Sequence, residues 1–377
     1  MLSGTPVLTR NEVRGLVVKA AMVFLAFHLV LALALALASA HYGKSQDAGY
    51  ISWDSAHFLR VAQLGYPHGL PVDGRNTVGP SEIAFFPGLP LAIAALAWLM
   101  PLVVAGAVVS LLAGVVASGA IAVVCAQVSS PRRGLVVSAL WTLQPLAFVL
   151  GVPYSEGLFT AAAAICLLAL YQKRWVLAGC AALVGSSVRA TGLALAVACA
   201  VAALPAVRRG HWRALAAPLL APWGALGYLL WVGRRVGRVD AWFATQSGGW
   251  HMSFDGGFST ARDASRRLVH PFVNAPSTAA SVYILLAILL LVVYAVKGPW
   301  TPPMIAFVLV LFALSYGSSN ALVHIPRFLV PAFPLLLPLA ALAERCTVRV
   351  QVGMLGALGC FTAALGAIWL VHLPYAP

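Results

Sequence analysis

VVAGAVVSLLAGVVASGAIAVVCAQ, residues 103–127, carries no charged side chain and no proline in 25 positions. Wound as an α-helix at 1.5 Å per residue it reaches about 37 Å, enough to cross the ~30 Å hydrocarbon core of a bilayer. The chain around it has the same character: 61% of its 377 residues are apolar and only 9% charged, with a mean hydropathy of +0.91. A soluble helical domain of this length needs far more polar surface to cover its core. The expected class is an all-α polytopic membrane protein.

Working outward, further apolar runs are read at 16–41, 134–151, 157–172, 175–190, 191–206, 214–232, 280–297, 302–318, 328–343 and 350–372. The runs 175–190 and 191–206 are short and read as broken helices meeting near Arg189. The segment 85–101 holds Pro87, Pro90 and Pro101 and reads as a re-entrant or interfacial element. With the N-terminus inside, the cytoplasmic connections carry Arg132-Arg133, Lys173-Arg174, Arg208-Arg209 to Arg213, Lys297, and Arg345 to Arg349. All are short and basic, as the positive-inside rule asks. Two long segments, 42–84 and 233–279, then face outward; the second carries six arginines from Arg234 to Arg267, which long translocated loops tolerate. Residues 1–377 thus read as one transmembrane domain of about 10–12 helices with a long first extracytoplasmic loop. Ala38-Ser39-Ala40 looks like a signal cleavage site, but the run before it exceeds the usual core of roughly 7–15 residues and favours a retained helix.

The formal charge of +14 comes from 24 Lys and Arg against 10 Asp and Glu. The basic residues cluster at span ends, where they orient helices and meet anionic membrane lipids. No basic stripe with interleaved aromatics stands apart, so nucleic acid is not an expected partner. Of the six cysteines only Cys346 lies outside an apolar run, and no pair has metal-ligand spacing. No G-x-x-x-x-G-K-S/T loop and no Asp-x-Asp occurs, which removes nucleotide hydrolysis and the usual metal grip on a nucleotide sugar. Neither a cofactor nor a metal is expected, and any donor substrate arrives already in the membrane.

Acidic residues are few enough to name: Glu12, Asp47, Asp54, Asp73, Glu82, Glu156, Asp240, Asp255, Asp263 and Glu344. All but Glu12 and Glu344 fall on the outer side of this layout, so a carboxylate that activates a hydroxyl points outward. Asp54 opens a short amphipathic stretch, Trp53-Asp54-Ser55-Ala56-His57, at the interface level. It reads equally as a chemical group beside a lipid head group and as a helix cap. Glu156, in Pro153-Tyr154-Ser155-Glu156, suits either a site or the positive end of a helix. Arg189 lies between two apolar runs, a costly place for a charge. His324-Ile325-Pro326-Arg327 sits just before another run; its arginine serves either a phosphate or the lipid head groups.

Taken in order, these pieces resemble the PIG-V family of integral membrane mannosyltransferases, which includes the enzyme adding the second mannose to glycosylphosphatidylinositol. The matching residues are Trp53-Asp54 with His57 and Gly65-Tyr66, Phe85-Phe86-Pro87, Pro153-Tyr154-Ser155-Glu156, Arg189-Ala190-Thr191-Gly192, and Pro326-Arg327-Phe328 with Pro331 and Phe333-Pro334. The resemblance implies a GT-C type glycosyltransferase fold and a polyprenyl-phosphate-mannose donor, and it puts an essential aspartate of the first outer loop at Asp54. It also implies inversion from a β-linked donor to an α-mannoside.

The expected activity is therefore mannosyl transfer to a lipid or glycan acceptor, with Asp54 as general base. Arg189, Arg327 and His324 would hold the donor phosphate, and Trp53, His57, Phe86, Tyr154 and Glu156 would line the substrate site. Two other classes share the composition: a lipid or glycolipid flippase or transporter, and a non-catalytic subunit of an envelope-assembly complex. The Ala, Val, Leu, Gly and Arg richness fits a GC-rich bacterium, hence a plasma membrane with the site on its outer face.

Overall fold

The computed structural model describes residues 8–373 apart from 46, 73, 75, 76 and 300; Asp73 lies outside the described residues. Apart from two isolated bridges, the regular structure described is helical. Arg10–His41 (α1) opens on a capping box, Thr9 accepting from the Glu12 N–H while the Glu12 carboxylate accepts from the Thr9 N–H. Two short helices follow, Asp54–Leu64 (α2) and Gly88–Leu96 (α3). Leu102–Val128 (α4) and Pro131–Leu143 (α5) form a hairpin, with Ser130 capping α5 and Pro131 at its first position. Gly134 lets the hairpin close, since a Cβ there would stand 2.2 Å from the Ala122 carbonyl. Such small-residue contacts are how helices associate in lipid.

Ser155–Tyr171 (α6), Trp175–Val188 (α7) and Leu193–Val207 (α8) come next, the last two parted at Arg189 by a 3-10 turn over Ala190–Gly192. Ala216–Leu220 (α9) and Trp223–Val236 (α10) belong to a pair bent by 41° beside Pro222. Then come Ala241–Ala244 (α11), Phe258–Val269 (α12), Ala275–Lys297 (α13) and Pro302–Tyr316 (α14). Ile325–Phe328 (α15), Leu337–Ala343 (α16) and Val348–His372 (α17) complete the chain.

Among the described residues five helices are long and apolar enough to cross a bilayer, α1, α4, Ala190–Val207, α13 and α17, and the bent pair makes a sixth if it is one span. Four apolar helices of 10–17 residues, Ser155–Tyr171, Trp175–Val188, Pro302–Tyr316 and Phe333–Ala343, pack among them. Two expected continuous spans are broken instead. The run 134–151 is α5, then Gln144-Pro145, then a 3-10 turn at Ala147–Gly151. The run 328–343 is interrupted by Pro331, Pro334 and Pro338, so that it divides between the end of α15, a 3-10 turn at Phe333–Leu336, and α16. The run near 214–232 is kinked where Pro222 sits.

Phe24, Trp141, Phe148, Phe159, Phe307 and Phe333 are fully buried in one central cluster. Trp141 Nε1 donates to the Val330 carbonyl at 3.1 Å, tying α5 to the proline-broken segment. At one end of the bundle lie the end of α1, the start of α6 and the α7–α8 break; there Tyr42 stacks on His372 at 4.2 Å. At the other end Arg133 pairs with Glu344 at 2.7 Å.

Candidate active site

Asp54, Glu156, Arg189 and Arg327, dispersed over 273 residues of chain, meet at the first of these ends. Each stands at or beside a helix terminus: Asp54 in the first turn of α2, Glu156 in the first turn of α6, Arg189 at the C-cap of α7, Arg327 in the one-turn α15. The proline-rich and Gly-rich breaks are what bring termini rather than helix flanks to this point. The two carboxylates enjoy the positive ends of their helices.

Arg327 Nη1 donates to Asp54 Oδ2 at 2.5 Å, and its Nε lies 3.6 Å from Glu156 Oε1. Arg189 Nη1 donates to the same Glu156 oxygen at 2.5 Å and to Ser155 Oγ at 3.2 Å. The result is a chain of alternating charge, Asp54–Arg327–Glu156–Arg189. Side-chain exposure is 1% for Glu156, 6% for Arg327 and 12% for Arg189, but 25% for Asp54. The carboxylate at the end of the chain is the one left open. Removing several charges from water costs several kcal/mol per ion, recovered only by close pairing. Such an arrangement marks a site rather than a stabilising device.

Aromatic rings complete the cage. The Arg327 guanidinium lies 5.1 Å from the Tyr154 ring centre and 5.3 Å from that of Phe328, and Arg189 lies 5.1 Å from Phe328. Burial pushes the Asp54 carboxyl up, but Arg327 by charge and hydrogen bond, with His324 and Arg189 behind it, brings it below its ordinary value. Burial works against the charge on Arg327, and Asp54, Glu156 and Tyr154 more than restore it. Asp54 is therefore a carboxylate with a permanently charged partner.

The approach to Asp54 is strained. Ser52–Ser55 is a tight turn, Ser55 N–H donating to the Ser52 carbonyl at 3.2 Å, with Trp53 at φ 56°, ψ −125°. That is the first central position of a type II′ turn, which glycine normally occupies. A non-glycine residue held there costs of order 1–3 kcal/mol and points to a functional constraint. The Trp53 ring packs on the central core and fixes the turn.

A second group lies one turn along α2. His57 Nδ1 is 3.5 Å from Glu82 Oε1, and Arg60 Nη1 reaches the same oxygen at 3.2 Å. The His57 ring stacks on Phe85 at 4.7 Å and meets Trp250 edge-on at 5.3 Å. Phe86, expected to line the site, instead turns away into a buried cluster against Tyr228 and Trp242. The cause is local: Phe85 is extended after the 3-10 turn Glu82–Ala84, so the two rings take opposite sides. Of the expected residues, Asp54, Tyr154, Glu156, Arg189 and Arg327 converge, and His324 contributes to the field at Asp54. His57 belongs to the second group. The sequence names Glu82 among the acidic candidates and Phe85 in the Phe85-Phe86-Pro87 match without giving either a place in the site, and it does not single out Trp250. Among the described residues no three His, Cys, Asp or Glu side chains converge as a metal site would require.

No protein-family model and no curated protein sequence matches this chain. Among solved structures it resembles ArnT from Cupriavidus metallidurans bound to undecaprenyl phosphate, with TM-score 0.57 and 14% identity over 93% of this chain and 77% of that one. The Archaeoglobus fulgidus oligosaccharyltransferase matches at TM-score 0.46 and 14% identity, over 91% of this chain and 53% of that one. The first likeness establishes the architecture: this is an all-helical, multi-pass membrane protein of GT-C type fold.

Proposed function

We propose that this chain is an inverting glycosyltransferase that moves mannose from a polyprenyl-phosphate donor to a hydroxyl of a lipid or glycan acceptor, on the outer face of a bacterial plasma membrane. The observation that carries the reading is the buried Asp54–Arg327–Glu156–Arg189 chain with its partly exposed carboxylate end. A GT-C neighbour that holds undecaprenyl phosphate supports a lipid-phosphate donor.

In this reading the donor phosphate settles against Arg327 and Arg189, where charge-assisted hydrogen bonds meet the charge that develops on it. Asp54 accepts the proton of the acceptor hydroxyl as that oxygen bonds to the anomeric carbon. The bond from that carbon to the phosphate oxygen breaks, and its electron pair leaves with the lipid phosphate. One displacement inverts the anomeric centre. Arg327 serves both partners: paired with Asp54 it keeps the carboxylate ionised in the empty site, and as it turns to the phosphate Asp54 becomes a stronger base. Glu156 holds the two guanidiniums side by side, and Trp53 sets the angle of Asp54.

Incubating the purified protein with polyprenyl-phosphate mannose and a membrane lipid extract tests this. A mannosylated product is expected, lowered about 10²–10⁴-fold in Asp54→Asn, the usual worth of a general base. Transfer at the normal rate by that variant sinks the proposal.

A further inference from the structure

The proposed mechanism leaves one built feature of this end of the molecule unused: the group formed by His57, Glu82, Phe85 and Trp250. Resting on the transferase reading, we propose that it is the platform on which the acceptor is held, and that the acceptor presents a hydroxyl-rich six-membered ring there, a pyranoside or an inositol.

The three rings form a corner. His57 and Phe85 lie parallel, interplanar angle 16°, and Trp250 stands against both at 83° and 84°. The Glu82 carboxylate sits at the edge, reached by His57 and Arg60. None of the four is fully buried: the side chains of His57 and Glu82 retain 27% and 17% of their surface. An aromatic wall offers the C–H face of a sugar ring an apolar contact, while a carboxylate and an imidazole at its edge suit vicinal hydroxyls. Trp250 Nε1 is shielded and has no hydrogen-bond partner, and His57 Nδ1, equally shielded, has only the Glu82 oxygen at 3.5 Å. Such groups call for a ligand.

The surroundings hold the platform rigid. Three successive carbonyls beside Glu82 each receive a side-chain donor: Ile83 from Tyr228 at 2.8 Å, Ala84 from Trp242 at 3.2 Å and Gln246 at 3.4 Å, Phe85 from Tyr66 at 2.7 Å. Trp250 is delivered from the second long loop by the π-helical turn Thr245–Gly249, a local form frequent at functional sites. That turn lies directly on the first loop. A Cβ on Gly248 would come 2.3 Å from the Val78 carbonyl, and one on Gly249 2.6 Å from that of Gly79. Only glycines allow Trp250 to close over His57.

The acceptor, rather than the donor sugar, is assigned here by position. The donor ring is joined directly to the phosphate and so stays beside the arginines. The platform begins one helical turn, about 5 Å, beyond Asp54, where the body of an acceptor must lie if its hydroxyl reaches that carboxylate.

The test uses the full chain in lipid nanodiscs with two readouts. Saturation-transfer NMR with methyl α-mannopyranoside and myo-inositol should give a signal from the unmodified protein. Trp250→Ala and Glu82→Gln should weaken it at least tenfold, with Trp250→Phe intermediate and Phe272→Ala, 99% exposed elsewhere, unchanged. In transfer assays with octyl α-mannopyranoside, the same two variants should raise the acceptor KM at least tenfold and leave the donor KM within twofold. A donor KM that rises instead, or ring binding indifferent to both substitutions, overturns the platform. Should no transfer occur at all, the transferase reading falls, while the NMR arm still decides whether a ring binds here.

Discussion

Asp54 is the residue on which acid and base behaviour turns. Its folded pKa lies below the ordinary carboxylate value because Arg327, His324 and Arg189 outweigh the effect of burial. A carboxyl shifted down on folding binds fewer protons in the native state. Its contribution to stability is therefore full above the unfolded value, near 3.9, and is lost as pH falls through the lower folded value. Asp54→Asn, which replaces a charged hydrogen bond to Arg327 with a neutral one, should cost roughly 1–3 kcal/mol at pH 7. Thermal melts of both proteins from pH 7 to pH 3 should show the difference in Tm constant down to about pH 4 and shrinking below it. A gap that instead widens in acid would mean that Asp54 is protonated in the native state. The same pairing gives Glu156 a structural part: it is the buried counter-charge beside which two arginines stand together.

At the scale of elements, the site depends on helices that stop. The long helices α1, α4, α13 and α17 were legible from apolar run length, and so was the break at Arg189, since a charge cannot sit in mid-membrane without a reason. Less legible were the prolines of 326–338, which divide one apolar run into three short pieces and turn Arg327 inward. Hydropathy does not register a break that keeps composition constant. Nor could pattern foresee that Phe85 rather than Phe86 meets His57, because that choice is made by the 3-10 turn before them. The pairing of Glu82 with His57 crosses a loop without periodicity and was invisible. The first loop is nevertheless firmly attached: Arg235 of α10 donates to the Tyr66 carbonyl at 2.8 Å and to that of Pro67 at 3.1 Å, while Tyr228 of the same helix donates to Ile83. Tyr228→Phe leaves the fully buried turn at Ile83 without that donor. It should cost about 1–3 kcal/mol, read as a lowered Tm, and reduce transfer by loosening Glu82. An unchanged melt would show that water replaces the hydroxyl and that the Tyr228 bond does not brace the loop.

For the whole molecule, the alternation of the helices puts every charged member of the site at one end and the Arg133–Glu344 pair at the other. The basic connections follow the same alternation: Lys173-Arg174 follows α6, Arg208-Arg209 follows α8, and Lys297 ends α13. If the positive-inside rule holds these inside, the proposed orientation follows: the Asp54 end faces out of the cell, where the proposed donor is a lipid carrier rather than a nucleotide. Single cysteines test the orientation without relying on activity. In a chain whose six native cysteines are replaced, the exposed Cys180 and Cys360 included, Lys44→Cys lies just beyond α1 and Arg209→Cys just beyond α8, both on exposed positions. A membrane-impermeant maleimide added to whole cells should label the first at once and the second only after permeabilisation. The reverse order would place Asp54 in the cytoplasm, where the proposed donor face is wrong and the arginines of the site would have to serve a different phosphate.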